Sequence, residues 1–381
     1  MFGTVVEGVN SSKIDRYADS ILLGIAWQYD AEHPMESVMR SAYYHRDYHN
    51  ENQNLLDAVE QELPANLQYL RYWHGSIAVV RPLLLWMPLE GIYRLNGILL
   101  ILFTGLPVIL LIRRGGAIPA LGLLLGMVLV SVWFVPLSLE YAWMFLLMPL
   151  FSLIALELGL HGGEKWYGTA FLCFGMLANF FDFLTTETLT LTVPLLLLLW
   201  AEKKEGQRDG RAALGTMVRL SLAWVCGFAG AWSLKWALAS LAMGESALPY
   251  VTGHIVERIG GTGGVPVRAF GLFIGAVFRN IYCLFPLEYG IPGILAGMML
   301  PVGFAYVAYV YRGQDYDGKR LLAYVLIGCI PYVRFLVLHN HSYLHCFFTY
   351  RAQLGTVLAM ALILEELGVW KVLRRSLRHG K

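Results

Sequence analysis

The sequence predicts an all-α, polytopic transmembrane helical bundle, on three observations. Of its 381 residues, 57% are hydrophobic and only 15% charged, whereas soluble domains carry roughly a quarter charged residues. Apolar runs of about twenty residues, the length a helix needs to cross a bilayer, recur through most of the chain after residue 90. Lys and Arg collect in the short loops between those runs, as they do on the cytoplasmic side of membrane proteins.

Residues 1–75 differ from the rest. They hold Asp15, Asp19, Asp30, Glu32, Glu36, Asp47, Glu51, Asp57, Glu60 and Glu62, with amphipathic patterns over 20–27 and 54–63. This predicts a helical module outside the bilayer core, and no early apolar region of a signal peptide precedes it. Residues 76–91 are broken by Arg81, Pro82 and Pro88. They are too short to span and read as an interfacial or re-entrant helix.

The transmembrane domain, 92–370, divides into about nine spans: 92–112, 117–137, 142–160, 165–182, 186–201, 215–242, 291–311, 319–338 and 346–366. The basic groups at 113–114, 203–219, 312–320 and the tail 371–381 set the orientation. With those inside, the N-terminal module lies outside and the C-terminus is cytoplasmic. Residues 267–285 contain Arg268, Arg279 and Asn280. Counting them as a span would move basic loops to the wrong side. They read instead as an interfacial helix within an external stretch, 243–290, that carries the glycine-rich string 260–264.

Composition narrows the function. A net charge of +2 is spread over short loops with no aromatic platform beside it, so nucleic acid is not an expected partner. The five cysteines are widely spaced and form no CxxC pair, which reads as packing and not as a disulfide or metal framework. Neither a P-loop nor an HExxH motif occurs.

On the proposed outer side the polar residues form a distinctive set. Asp15 and Asp19 are four apart and share a face if helical. Neighbouring carboxylates split their pKa values, which suits one of them to act as a base; the alternative is a pair of solvated acids in a first helical turn. Asp182, in Phe181-Asp182-Phe183-Leu184-Thr185-Thr186, sits at the membrane surface, either as a functional carboxylate or as a helix cap. Lys235 lies inside a span, where it could meet a lipid phosphate or snorkel to the headgroups. In the string 338–351, His341 and His345 share a helix face ahead of Arg351. The spacing permits zinc, but no carboxylate accompanies the imidazoles, and hydrogen bonding to a substrate fits as well. No metal or other cofactor is therefore expected.

Three strings together carry a resemblance: Tyr72-Trp73-His74-Gly75 with Arg81-Pro82-Leu83-Leu84; Phe181-Asp182-Phe183-Leu184-Thr185-Thr186; and Asn340-His341-Ser342-Tyr343-Leu344-His345 with Phe347-Phe348-Thr349-Tyr350-Arg351. Over nearly the whole chain they resemble a family of bacterial membrane proteins, mostly from Firmicutes. That family's architecture is similar to the GT-C glycosyltransferases, which include protein O-mannosyltransferases and aminoarabinose transferases. The resemblance implies one further span upstream of Phe2-Gly3-Thr4. Arg334 departs from the pattern, standing where an aromatic residue is expected.

What the resemblance implies is a plasma-membrane enzyme that moves a sugar from a polyprenyl-phosphate donor to an extracytoplasmic glycan or lipid acceptor, with inversion. Asp15 or Asp19 would be the base. Arg81, Lys235 and Arg351 would hold the phosphate, and His74, Asp182, His341 and His345 would shape the sugar and acceptor pocket. The rivals are a transporter or flippase for lipid-linked envelope precursors and a non-catalytic subunit that handles them.

Overall fold

The computed structural model describes residues 2–260, 269–284 and 291–372. Part of the glycine-rich string 260–264 and most of the basic tail 371–381 lie outside the described residues. The described residues form helices, apart from one antiparallel strand pair, β1 (Phe2–Thr4) with β2 (Lys13–Asp15), in which Phe2 faces Asp15.

The N-terminal module forms around α1 (Arg16–Trp27), α2 (Pro34–Arg40) and α3 (Glu51–Glu60). Asp15 does not share a helix face with Asp19. It is the N-cap of α1 and accepts the Ala18 amide at 2.9 Å, one of the free donors that every helix start exposes. Asn50 caps α3 in the same way, through the Gln53 amide at 3.0 Å. Next comes α4 (Ile77–Leu83), short and containing Pro82, followed by a turn that leaves Leu85 and Trp86 about 85% exposed.

Among the described residues, five helical stretches are long and apolar enough to cross a membrane. They are α5 (Leu89–Arg113), α7 (Ala142–Leu160), α10 (Gly210–Met243), α14 (Gly318–Val337) and the run Cys346–Glu366. That last run is α16 (Cys346–Thr349), a 3-10 turn and α17 (Leu354–Glu366), preceded by α15 (His339–Leu344). Other helices accompany them: α6 (Ala117–Leu129), α8 (Glu164–Phe181), α9 (Leu189–Lys204), α11 (Leu248–Gly260), α12 (Ala269–Leu284) and α13 (Ile291–Val310).

The stretch expected as a span over 117–137 does not run as one helix. It stops at Leu129, Ser131 takes a left-handed conformation (φ 53°), and a 3-10 turn follows over Val132–Leu137. Pro136 cannot donate to a continued helix. Helix α9 is buried on every side from Leu189 to Glu202, and for that reason it shows no amphipathic period. α8 packs on α10 so closely that a Cβ on Gly175 would stand 2.0 Å from the Trp224 carbonyl oxygen, and one on Gly227 2.0 Å from that of Leu172. Small residues let membrane helices approach in this way.

The bundle has two polar ends. Helix α7, 19 residues long, separates Glu140 from His161 by about 28 Å at 1.5 Å per residue. At the His161 end the basic loops are tied down. Lys203 pairs with Glu366 at 2.7 Å and Arg208 with Glu202 at 3.0 Å, and the buried Arg320 donates to the Leu199 carbonyl at 2.9 Å. At the Glu140 end the N-terminal module docks on α10. Trp73 Nε1 donates to the Ala231 carbonyl (2.9 Å) and Trp232 Nε1 to that of Arg71 (2.6 Å).

Candidate functional site

Where the module meets the bundle lies a cavity of about 560 Å³. Its lining is drawn from α1, from Tyr43 and residues 67–74, from Glu140 before α7, Phe183 after α8, Tyr250 on α11, and His341, His345 and Phe348 on α15 and α16. Two clusters make up much of that lining.

In the first, Arg71 lies over the rings of Tyr69 (4.5 Å) and Tyr72 (5.3 Å) and donates to the Tyr69 hydroxyl at 2.9 Å. It is the one Lys or Arg among the described lining residues. His74 packs its ring 4.9 Å from Tyr69 and 5.1 Å from Phe183. It is 3% exposed and takes a left-handed backbone conformation, φ 54°. Burial, then the charges of Lys235 and Arg71, hold its pKa well below the usual imidazole range, against a weaker upward pull from the Tyr72 backbone. The residue after it must be glycine. A Cβ on Gly75 would meet the Phe180 ring at 2.3 Å and the Phe180 oxygen at 2.5 Å, and the Gly75 amide donates to that same oxygen at 3.0 Å.

The second cluster holds Asp15, Glu140, His341, His345 and Phe348. The two imidazoles stand 4.7 Å apart, and His345 stacks on Phe348 at 5.2 Å. Asp15 is 4% exposed. Burial pushes its pKa up to about 6, further raised by Asp19 and opposed by the Ala18 and Tyr17 amides and by Lys13. A carboxylate with that pKa is ionised near neutrality and still basic enough to take a proton. Among the described residues no group of three His, Cys, Asp or Glu side chains is placed to hold a metal ion.

Of the residues singled out in the sequence, Asp15, His74, His341 and His345 line the cavity. The other five are engaged elsewhere. Asp19 lies beneath the wall, accepting from Tyr93 Oη (2.7 Å), Ser138 Oγ (3.1 Å) and the Leu139 amide (2.8 Å). Asp182, at the C-terminal end of α8, accepts both the amide and the hydroxyl of Thr185 within the loop before α9. Lys235, fully buried, donates to the Val38 (3.0 Å) and Met39 (2.9 Å) carbonyls at the C-terminal end of α2. Arg351 spreads over the carbonyls of Val130, Phe347 and Ser11 at 3.1–3.3 Å. Arg81 is exposed and lies 4.3 Å over the Tyr29 ring.

Sequence reasoning passed over Arg71, Glu140 and the tyrosines at 17, 43, 69, 72 and 250. Arg71 stands three residues before His74, and Glu140 sits in a short loop between apolar stretches, where a carboxylate is a signal in its own right. Arg334 joins two walls of the cavity. It pairs with Glu187 at 2.9 Å, donates to Ser342 Oγ at 2.9 Å and to the Leu184 carbonyl, and so ties the loop bearing Phe183 to the helix bearing His341. No protein-family model, curated protein or solved structure matches the chain.

Proposed function

We propose that this chain is a membrane glycosyltransferase that moves a sugar from a polyprenyl-phosphate donor to a glycan or lipid acceptor outside the cytoplasm. The observation that carries the reading is one cavity, at one end of an apolar bundle, that gathers a buried carboxylate, a guanidinium and a wall of aromatic rings. Aromatic faces suit a sugar ring, and the guanidinium suits a phosphate. In this reading the basic, ion-paired end of the bundle is cytoplasmic. The helices α6, α8, α9 and α13 complete about nine spans in a GT-C-like arrangement.

Asp15 is the base. Its carboxylate takes the proton of an acceptor hydroxyl as that oxygen bonds to the anomeric carbon. The bond from that carbon to the phosphate oxygen breaks, the lipid phosphate leaves with the electron pair, and the configuration inverts. Arg71 holds the departing phosphate and meets its growing charge. Asp19 is assigned to structure, because both its oxygens are taken up beneath the wall, one by Tyr93 and Arg16 and the other by Ser138 and the Leu139 amide.

The test is product formation by the purified protein in lipid vesicles from polyprenyl-phosphate glucose and mannose. Wild type forms glycosylated product and Asp15→Asn loses roughly a hundredfold or more in turnover, the scale of general-base catalysis. Lipid movement across the bilayer with no product at all would favour the transporter reading instead.

A further inference from the structure

We propose that His74 is a hydroxyl-reading residue, its second ring nitrogen binding a hydroxyl group of a sugar ring seated beside Arg71. The inference rests on the glycosyltransferase reading and assigns the glycosyl part of the donor to the cluster of Tyr69, Tyr72, His74 and Phe183.

Three independent observations meet at this residue. His74 lines the cavity and is 3% exposed, and while one ring nitrogen is drawn to the Tyr72 backbone, the other has no acceptor or donor among the described residues. Burying a polar atom without a partner is unfavourable, and a ligand hydroxyl would supply one here. Next, the backbone at His74 is left-handed (φ 54°) and locked from the following residue by the contact of Gly75 with Phe180. Such a conformation is uncommon outside glycine and fixes the direction of the ring. Finally, the ring contacts with Tyr69, Tyr72 and Phe183 would be met as well by phenylalanine, so packing alone does not account for an imidazole here.

The chemistry selects the ligand. Burial first, then the charges of Lys235 and Arg71, oppose a positive charge on the ring and hold it neutral. One nitrogen then carries the hydrogen turned to the Tyr72 backbone and the other accepts, which matches a donating hydroxyl and not a phosphate. Arg71 beside it carries the fixed charge. A donor would therefore be read in two parts, phosphate by Arg71 and a ring hydroxyl by His74, and a site built to bond a hydroxyl discriminates against ligands that lack it.

The experiment measures binding of bare polyprenyl phosphate and of polyprenyl-phosphate glucose and mannose to the full chain in detergent. Wild type is compared with His74→Phe and His74→Asn, each checked for a monodisperse profile and an unchanged melting temperature. Wild type prefers the better glycosylated lipid over the bare one. His74→Phe loses about tenfold of that preference while its affinity for the bare lipid stays put. His74→Asn, which restores a donor and an acceptor and tolerates the left-handed backbone, recovers most of it. An undiminished preference in His74→Phe overturns the inference alone, and so does an equal loss for both lipids. Failure of the wild type to bind any of the three overturns the glycosyltransferase reading and the inference with it.

Discussion

Replacing Lys235 with methionine separates a structural role from a ligand-binding one. The Lys235 ammonium bridges α10 to the end of α2 through the Val38 and Met39 carbonyls, at 3.0 and 2.9 Å. Methionine fills similar space and removes both bonds. The Val38 carbonyl keeps the Ser41 hydroxyl at 2.9 Å; Met39 loses the donor that Lys235 supplied. An orphaned buried carbonyl costs about 1–3 kcal/mol, and the helix dipole adds to the loss. Relief from burying an ammonium offsets part of this. The net is about 2 kcal/mol, which is roughly a thirtyfold rise in local opening where α2 meets α10. Hydrogen exchange on the protein in detergent reads this as lost protection over residues 34–43. If α2 keeps its protection while affinity for polyprenyl phosphate falls, Lys235 is a phosphate ligand and the bridging role is wrong.

Arg71→Met should weaken binding of bare polyprenyl phosphate roughly ten- to a hundredfold, with Arg71→Lys intermediate because the stack on Tyr69 is lost; surface plasmon resonance on captured protein reads both. Gly75→Ala places a methyl 2.3 Å from the Phe180 ring and 2.5 Å from its backbone oxygen, so the melting temperature should fall by the equivalent of about 1–3 kcal/mol. Activity and stability should respond to pH in opposite directions. Asp15 must be ionised to act, so kcat/KM falls as pH drops through about 6. Burial raises Asp15 and Asp19 alike to about 6, so their stabilising contribution is full below the unfolded value near 4 and is lost as pH rises through 6. Asp19→Asn should flatten that stability profile in thermal melts while leaving the acid limb of kcat/KM in place.

Helices with long uninterrupted apolar runs were legible in the sequence, and α7 (Ala142–Leu160) has the boundaries that its residues imply. The break at Ser131 was not, because the residues on either side are as apolar as those of a span. The strand pair at Phe2–Thr4 and Lys13–Asp15 is too short to show an alternating pattern. Asp15 was marked as a carboxylate worth attention, but a boundary shift of one residue turns a helix-face acid into an N-cap, and periodicity does not resolve that shift. The string 338–351 and His74 were marked by their unusual composition, and His74, His341 and His345 do line one cavity. What the sequence hides is the partner of each charge. Lys235 and Arg351 look like free cations in apolar surroundings, yet their acceptors are main-chain carbonyls more than 190 residues away for Lys235, and at Ser11 and Val130 for Arg351. Local sequence carries no trace of such contacts. Tyrosines at 17, 43, 69, 72 and 250 likewise come together only in three dimensions.

The account centres on Asp15 as the base in a cavity for a lipid-linked sugar, and a paired turnover assay tests it most directly. Wild type, Asp15→Asn and Asp19→Asn are compared in vesicles for product formed from polyprenyl-phosphate glucose and mannose, alongside donor binding. Asp15 lines the cavity, whereas Asp19 is held beneath its wall by Tyr93, Ser138 and Leu139. Asp15→Asn should therefore lose roughly a hundredfold or more in turnover with donor affinity unchanged, and Asp19→Asn should keep turnover close to wild type in the protein that folds. Full turnover in Asp15→Asn, or a collapse confined to Asp19→Asn, would contradict the assignment.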